Sequence, residues 1–239
     1  MTRRRVVITG MGTVNPLAHD VESTWEAIKA GRSGIGPIDL FDASTFPSAF
    51  CGQVRDYDFA AQVPNAARHE HAGRHGRFAL GAAVQAWRQA GLAGHEALSP
   101  QRLGVYLGSG EGQLDFDSFT SLLVDAWTDR GVDVPRWAEL AFERMDMWRE
   151  VEQESNMVLA HLAAEFGARG PAFNVLTACA ASTQAMGVRV PETLSAQIEV
   201  HLLRLGAGRE AALFEGRGRY GGLEVVGELD RLAKRRPTP

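Results

Sequence analysis

The sequence predicts a layered α/β fold with a mainly parallel sheet. Short β-branched or apolar runs that end in glycine-rich turns alternate with longer segments of helical spacing over residues 1–187. Such alternation is typical of parallel sheets covered by helices. The 239 residues, 45% hydrophobic and 23% charged, can bury a sizeable core, which excludes a largely disordered, collagen-like or coiled-coil chain.

Local signals mark the first strand and helix. The β-branched run Val6-Val-Ile8 leads to Gly10, which indicates a buried strand that leaves through a tight turn. Asp20 is placed to cap a helix over Val21–Ala30, and Gly31 is placed to end it.

The glycines after this strand resemble the start of a dinucleotide fingerprint. In Gly10-Met-Gly-Thr-Val-Asn15, however, Asn15 occupies the place of the third glycine. No second strand ending in an acidic residue follows about 20 residues later. We therefore interpret the segment as a tight turn.

The later elements continue the alternation. Helices are predicted over Phe78–Ala90 and Asn156–Phe166, and strands over Arg102–Gly108 and Phe173–Leu176. Residues 113–155, called the excursion below, are acidic, carry three tryptophans and have mostly helical periodicity.

The net charge and the cysteine content limit the possible cellular location and the possible partners. The net charge of −4 gives no general attraction to nucleic acid or to an anionic membrane. No stretch reaches the about 18 apolar residues of a membrane span, and the first residues lack the apolar run of a signal peptide. Two cysteines are too few for a disulfide scaffold, so we expect a cytoplasmic protein.

Three histidines lie close together in His69-Glu-His-Ala-Gly-Arg-His75. On a helix, His71 and His75 would share one face and suit a metal ion. Gly73 weakens that helix and the neighbouring arginines repel a cation. We expect a solvated basic segment and no metal site.

Cys179 is the candidate nucleophile. It lies in Ala178-Cys-Ala-Ala-Ser182, directly after an apolar strand, and a helix is predicted over about Cys179–Met186. A thiol at a helix N-terminus faces the positive end of the macrodipole, which favours the reactive thiolate. A buried, inert cysteine is the alternative, and local chemistry favours neither. The second cysteine, Cys51, lies in a segment read as irregular, with no helix terminus to activate it.

Several motifs, in the same order, resemble those of the type II β-ketoacyl-[acyl-carrier-protein] synthase family. The resemblance runs from about Arg4 to Gly187. Its motifs are Arg5-Val-Val-Ile-Thr-Gly-Met-Gly-Thr13, Glu22-Ser-Thr-Trp-Glu-Ala27, Ala30-Gly-Arg-Ser-Gly-Ile35, Leu107-Gly-Ser-Gly110, Ser155-Asn-Met157, Phe166-Gly-Ala-Arg-Gly-Pro171 and Thr177-Ala-Cys-Ala-Ala-Ser182.

The resemblance implies the N-terminal half of a thiolase-like fold and an acyltransferase activity. In the family, the cysteine matching Cys179 accepts an acyl chain as a thioester from the phosphopantetheine of an acyl carrier protein. Malonyl carrier protein then loses carbon dioxide and attacks that thioester, a decarboxylative Claisen condensation of fatty acid or polyketide synthesis. The Cys179 backbone N–H would be one oxyanion donor. The chain itself would need no cofactor, because the carrier protein brings the phosphopantetheine.

The sequence departs from the family after Gly187. The family's two histidines and lysine lie well past the nucleophile, whereas His201 and Lys234 here sit in no family motif. We expect residues 1–187 to form the synthase N-terminal domain. Residues 188–239 are expected to be an unmatched tail, of the kind a frameshift produces, that does not complete the core. The alternative function is a non-catalytic truncated remnant or an acyl-accepting interaction subunit.

Glu111 is a second departure, because the family usually has an apolar residue there that lines the acyl tunnel. A carboxylate beside an aliphatic chain is costly. Glu111 therefore either alters the acyl pocket or turns outward in a loop. The excursion falls where family members pack against each other. The expected partners are an acyl carrier protein and a second subunit in a homodimer or heterodimer, with no nucleic acid and no membrane.

Overall fold

The computed structural model describes residues 7–96, 98–112, 114–187, 200–203 and 211–216 and has an α/β fold. The helices are α1 (Val21–Lys29), α2 (Phe59–Gln62), α3 (Arg74–Gln89), α4 (Phe116–Asp125), α5 (Val134–Arg144), α6 (Met147–Val151), α7 (Met157–Phe166) and α8 (Ala181–Gly187). The strands are β1 (Val7–Gly12), β2 (Ile35–Pro37), β3 (Phe50–Gly52), β4 (Val105–Gly108), β5 (Trp127–Thr128), β6 (Gly131–Val132), β7 (Ala172–Val175), β8 (Val200–Leu203) and β9 (Ala211–Gly216).

The predicted ends of α1 are confirmed. An Asp20 carboxylate oxygen accepts a hydrogen bond from the Ser23 backbone N–H at 2.7 Å, which satisfies one of the donors that a helix start leaves free. Gly31 has a φ of 65°, the left-handed conformation that ends helices and suits glycine. By contrast, α3 begins at Arg74, four residues before the predicted start at Phe78.

The core lies between α3 and the strands. The buried face of α3 is built largely of alanine and glycine, and it packs closely on β1. A Cβ atom on Gly12 would collide with the Ala82 carbonyl group of α3, so this approach requires glycine. The larger fully buried side chains of the same core are Leu80, Leu107 and Leu162, from α3, β4 and α7. The two layers are therefore held by close backbone approach as well as by large apolar side chains.

Strand pairing is more mixed than the expected mainly parallel sheet. β4 and β7 pair in parallel, with Val105 opposite Ala172 and Gly108 opposite Val175. The other pairings among the described residues, β1–β9, β8–β9, β2–β3 and β5–β6, are antiparallel. A parallel pair needs a crossover connection of about a dozen residues or more. β4 and β7 have such a crossover, because the excursion and α7 lie between them.

Part of the tail pairs with β1, although the tail was expected not to complete the core. β9 lies between β1 and β8 in a three-stranded sheet. β9 supplies hydrogen-bond partners for the backbone of β1. The other tail residues lie outside the described part of the chain, so the domain boundary at Gly187 stays a prediction.

The excursion forms a small core of its own. Leu122 and Ala126 from the region of α4 pack with Leu140 of α5, and Trp137 covers them in part. The predicted helical character holds for α4, α5 and α6, with the short β5–β6 hairpin between α4 and α5.

Among the described residues, none of the helices combines the length and the apolar character needed to cross a membrane.

Candidate active site

The site is built at the carboxyl ends of β4 and β7. Because these strands are parallel neighbours, the loops that follow them leave the sheet at the same edge. One loop begins at Ser109 and continues to Glu111. The other carries Thr177 and Cys179.

Cys179 lies on a sharp turn between β7 and α8. Residues Ala178–Ala180 form one turn of 3₁₀ helix, and α8 follows directly at Ala181. Ala178 has a φ of 49°, a left-handed conformation that is uncommon for any residue other than glycine. The Cys179 side chain is exposed. Strained backbone clusters at functional sites, and here the strain lies next to the candidate nucleophile.

The two loops are tied together by a short hydrogen-bond chain. The Ser109 hydroxyl lies 2.9 Å from Asn174 Oδ1, and Asn174 Nδ2 donates to the Ser155 carbonyl oxygen at 2.7 Å. The Ser109 backbone N–H also donates to the Val175 carbonyl oxygen. Asn174 therefore links β7 to the loop after β4 and to the residue at the end of the excursion.

The start of α8 packs directly against the end of β4. A Cβ atom on Gly108 would collide with the backbone of Ala181 and Ser182. Further along, the Thr177 hydroxyl donates to Gln184 Oε1 at 2.7 Å, across the turn that carries Cys179. These contacts hold the turn that carries Cys179 on both sides, and the thiol is exposed.

The other two predicted positions differ from Cys179 in their surroundings. Glu111 is exposed in the loop after β4, and its role in an acyl pocket remains a prediction. Cys51 is half-buried in β3, opposite Gly36, so the segment read as irregular is a short antiparallel pair. Cys51 is not at a helix terminus, in keeping with a thiol that nothing activates.

The histidine segment is not the solvated stretch that its composition predicts. His69 is completely buried and lies 2.9 Å from His161, nitrogen Nδ1 to nitrogen Nδ1. Burial lowers the pKa of His75, a nearby Glu152 carboxylate raises it, and His161 lowers it. His71 is exposed and stacks on Trp148. Among the described residues, no group of three or more histidine, cysteine or acidic side chains could hold a metal ion.

Sequence reasoning missed the acidic partners of these histidines. Glu165 contacts His69, and Glu152 contacts His161. The spacing of His161 and Glu165 on one helix face was a visible signal, because residues four apart on a helix are neighbours. The contact between His69 and His161 joins residues 92 apart, and no local pattern reveals it.

A cleft of about 1130 Å³ lies beside the excursion, and Cys179 is not among its lining residues. Two ion pairs lie in its lining: Arg55 contacts Asp39, and Arg149 contacts Asp115. The Ser118 hydroxyl and the Arg149 guanidinium both lower the pKa of Asp115. Burial, with a smaller effect from Asp58, raises the pKa of Tyr57 to about 12. The described residues that line this cleft include no cysteine or serine, so the candidate nucleophile lies outside it.

Comparison with known proteins agrees with the motifs around Cys179. The chain is 33% identical over 192 residues to 3-oxoacyl-[acyl-carrier-protein] synthase 2 of Coxiella burnetii, an alignment that covers 78% of this chain and 42% of that protein. The chain thus spans about two fifths of the length of this relative.

Solved structures share the fold. A β-ketoacyl synthase from Burkholderia phymatum matches with a TM-score of 0.63 and 20% identity, over 98% of this chain and 62% of that one. A ketosynthase solved in complex with a type II polyketide acyl carrier protein matches with a TM-score of 0.62 and 18% identity, over 90% of this chain and 64% of that one.

The family model for the β-ketoacyl synthase N-terminal domain matches residues 3–199. This match extends twelve residues past the predicted boundary at Gly187. It includes β1, β4, β7 and the turn that carries Cys179. The fold, the position of the thiol and this match agree, and the chain belongs to the β-ketoacyl synthase family.

Proposed function

We propose that Cys179 is the acyl-accepting nucleophile of a 3-oxoacyl-[acyl-carrier-protein] synthase. The observation that carries the proposal is the exposed thiol on the strained turn between β7 and α8, within the residues matched by the family model. A thiolate suits this role because a thioester must both form and break readily.

The proposed reaction has two stages. The Cys179 thiolate attacks the carbonyl carbon of an acyl thioester on the carrier protein, and the phosphopantetheine thiolate leaves. Malonyl carrier protein then loses carbon dioxide, and the resulting carbanion attacks the Cys179 thioester. The carbon–carbon bond forms as the Cys179 thiolate leaves, and the ketoacyl product on the carrier protein is two carbons longer. The Cys179 backbone N–H is one proposed donor to the developing oxyanions.

An acyl carrier protein is the proposed partner and the cytoplasm the proposed location. One solved ketosynthase with this fold is bound to its acyl carrier protein. The phosphopantetheine would reach Cys179 from solvent, because the thiol is exposed. Glu111 is the proposed polar departure in the acyl pocket.

A second subunit of the same family is the proposed partner of the excursion. Phe142 is 94% exposed, and Trp127 and Val134 are each 66% exposed. Large apolar side chains that are this exposed favour an interaction surface when they lie together. Light scattering of the purified chain should give the mass of a dimer, and Phe142→Asp should shift it toward a monomer. A wild-type monomer would contradict the proposal.

The acyl-accepting subunit without condensation activity is the second candidate. The family model does not match residues beyond 199, and His201 and Lys234 lie in no family motif. Loss of general acid–base or oxyanion groups costs about 10²–10⁴-fold each. The two candidates share acylation of Cys179 and differ in the second stage.

The test is incubation with carrier protein that bears an acyl thioester on its phosphopantetheine, followed by intact-mass analysis. Wild type and Cys51→Ala should gain the mass of one acyl group, and Cys179→Ala should not. A gain that persists in Cys179→Ala would overturn the proposal. Addition of malonyl carrier protein then separates the candidates, because only a condensing enzyme forms ketoacyl product.

A faster check is iodoacetamide labelling near pH 7 with peptide mapping. We expect Cys179 to be labelled before Cys51, since Cys179 is exposed and Cys51 is half-buried. Preferential labelling of Cys51 would count against the assignment.

A further inference from the structure

Four buried side chains form a continuous hydrogen-bonded chain away from Cys179. Glu165 Oε2 lies 2.9 Å from His69 Nε2, and His69 Nδ1 lies 2.9 Å from His161 Nδ1. His161 Nε2 in turn lies 2.8 Å from Glu152 Oε1. Every ring nitrogen of the two histidines is therefore occupied.

These four side chains are shielded from water. The side-chain exposure is 0% for His69, 4% for Glu165, 12% for His161 and 7% for Glu152. Buried polar groups must be satisfied by protein partners, because an unmatched pair of acceptors carries a large desolvation cost. Each of the three junctions therefore needs a hydrogen atom.

The number of hydrogen atoms can be counted. Two neutral imidazoles carry one N–H each, and two ionised carboxylates carry none. Three junctions need three hydrogen atoms. With neutral histidines and ionised carboxylates, one junction would therefore place two lone pairs opposite each other, with the two heavy atoms less than 3 Å apart. One additional proton supplies the third hydrogen bond.

We propose that Glu165, His69, His161 and Glu152 form a buried clasp that holds one additional proton and makes the attachment of the excursion to the core dependent on pH. The proton resides on the histidine pair, as an imidazolium flanked by two carboxylates. Its charge is compensated at both ends of the clasp.

The clasp joins separate parts of the fold. His69 ends the 3₁₀ turn at Ala66–His69, and His161 and Glu165 lie on α7. Glu152 directly follows α6 and belongs to the excursion. The contact between Glu152 and His161 therefore ties the end of the excursion to the core.

Among the described residues, Asn65 and His75 face the clasp, and the Arg68 guanidinium donates to the Ala164 carbonyl oxygen, next to Glu165. Asn65 Nδ2 donates to the second oxygen of Glu165 at 3.3 Å, which leaves the junction with His69 unchanged. His75 of α3 lies close enough that Glu152 and His161 both influence its pKa, which burial lowers. A neutral His75 adds no competing positive charge beside the proposed imidazolium.

The folded chain then binds one proton more than the unfolded chain above about pH 6.5, where a free imidazole has lost its proton. When the folded state binds more protons, stability falls as the pH rises. The unfolding equilibrium constant should increase by up to tenfold per pH unit above neutrality, until the clasp proton is lost.

Glu152→Gln tests the proton count. The glutamine amide can donate its own hydrogen to His161 Nε2, which completes the chain without an additional proton. Glu143→Gln is the matched control, because it removes the same charge from an exposed position in the excursion. Urea unfolding from pH 7 to pH 9 should show the steep dependence in wild type and Glu143→Gln, and a flatter one in Glu152→Gln. Equal slopes in all three proteins would overturn the proposal.

A measurement on the folded protein gives an independent result. In ¹⁵N-histidine spectra at pH 8, we expect one buried imidazolium in wild type and none in Glu152→Gln. Two neutral buried histidines in wild type would overturn the proposal, and so would an imidazolium that persists in the variant. The wild-type spectrum alone decides the question if Glu152→Gln does not fold.

Discussion

The α3 layer and the excursion bury apolar surface in different ways. On the α3 side, a face of alanine and glycine packs tightly on β1, and Leu80 and Leu162 are completely buried. The excursion buries a small cluster around Leu122 and Leu140, and it leaves Phe142 almost fully exposed. The first region is stabilised by its own packing. The second depends more on polar ties to the core, such as the contact between Glu152 and His161.

The largest expected effect is the loss of stability when a buried leucine is replaced by alanine in each of the two cores. Leu162→Ala removes a side chain from the extended core and should lower the free energy of unfolding by about 2–5 kcal/mol. Leu140→Ala also removes a completely buried leucine, but from the smaller cluster, which can collapse more easily around the void. We expect its cost to lie near the lower end of that range. Urea unfolding of both variants checks this, and a larger loss for Leu140→Ala would reverse the comparison.

A smaller effect tests the close approach of α3 to β1. The added methyl group of Gly12→Ala would collide with the Ala82 carbonyl group. Overpacking of this kind costs about 1–3 kcal/mol. Gly110→Ala is the matched control, because nothing lies within 4 Å of its added Cβ. Thermal unfolding should separate the two variants, and similar midpoints would show that the α3 layer is more tolerant than its packing indicates.

The loss of a single helix cap in each region provides a comparison with a smaller energy. Asp20 caps α1 by accepting from Ser23 N, and Asp133 caps α5 of the excursion by accepting from Arg136 N at 3.1 Å. Loss of such a cap costs about 1 kcal/mol. We expect Asp20→Ala to reduce global stability by this amount. Asp133→Ala should instead accelerate local hydrogen exchange in the excursion, because that region can open on its own. An equal global loss for both would contradict separate stability.

The smallest expected effect is the change in stability at acidic pH. Burial lowers the pKa of His75 in the folded state, so the unfolded chain binds this proton first as the pH falls. The stability contributed by neutral His75 is therefore present above about pH 6.5 and is lost as the pH falls through the folded-state pKa. His75→Gln should flatten the acid side of the stability profile, measured by urea unfolding between pH 7 and pH 5. An unchanged acid side would show that His75 is readily protonated in place.

Much of the local structure could be predicted from the sequence. The cap at Asp20, the glycines that end α1, α3 and α7, and the strand before Cys179 are all signals carried by residues close together in the chain. The predicted start of α3 was late, because the histidines and Gly73 before it do not show helical apolar spacing. The strand that contains Cys51 cannot be recognised from the sequence, because three residues are too few to show an alternating pattern.

The sequence by itself determined the presence of β1, β4, β7, α1, α3 and α7, the family resemblance and the choice of Cys179 as candidate nucleophile, because these depend on residue types and spacing within short segments. Only the tertiary structure decided which strands pair, that β9 lies beside β1, and that His69 is buried against His161. Those outcomes depend on segments far apart in the chain that must satisfy each other's backbone and side-chain hydrogen bonds. A local pattern can indicate that a group needs a partner, but only the folded chain shows where that partner lies.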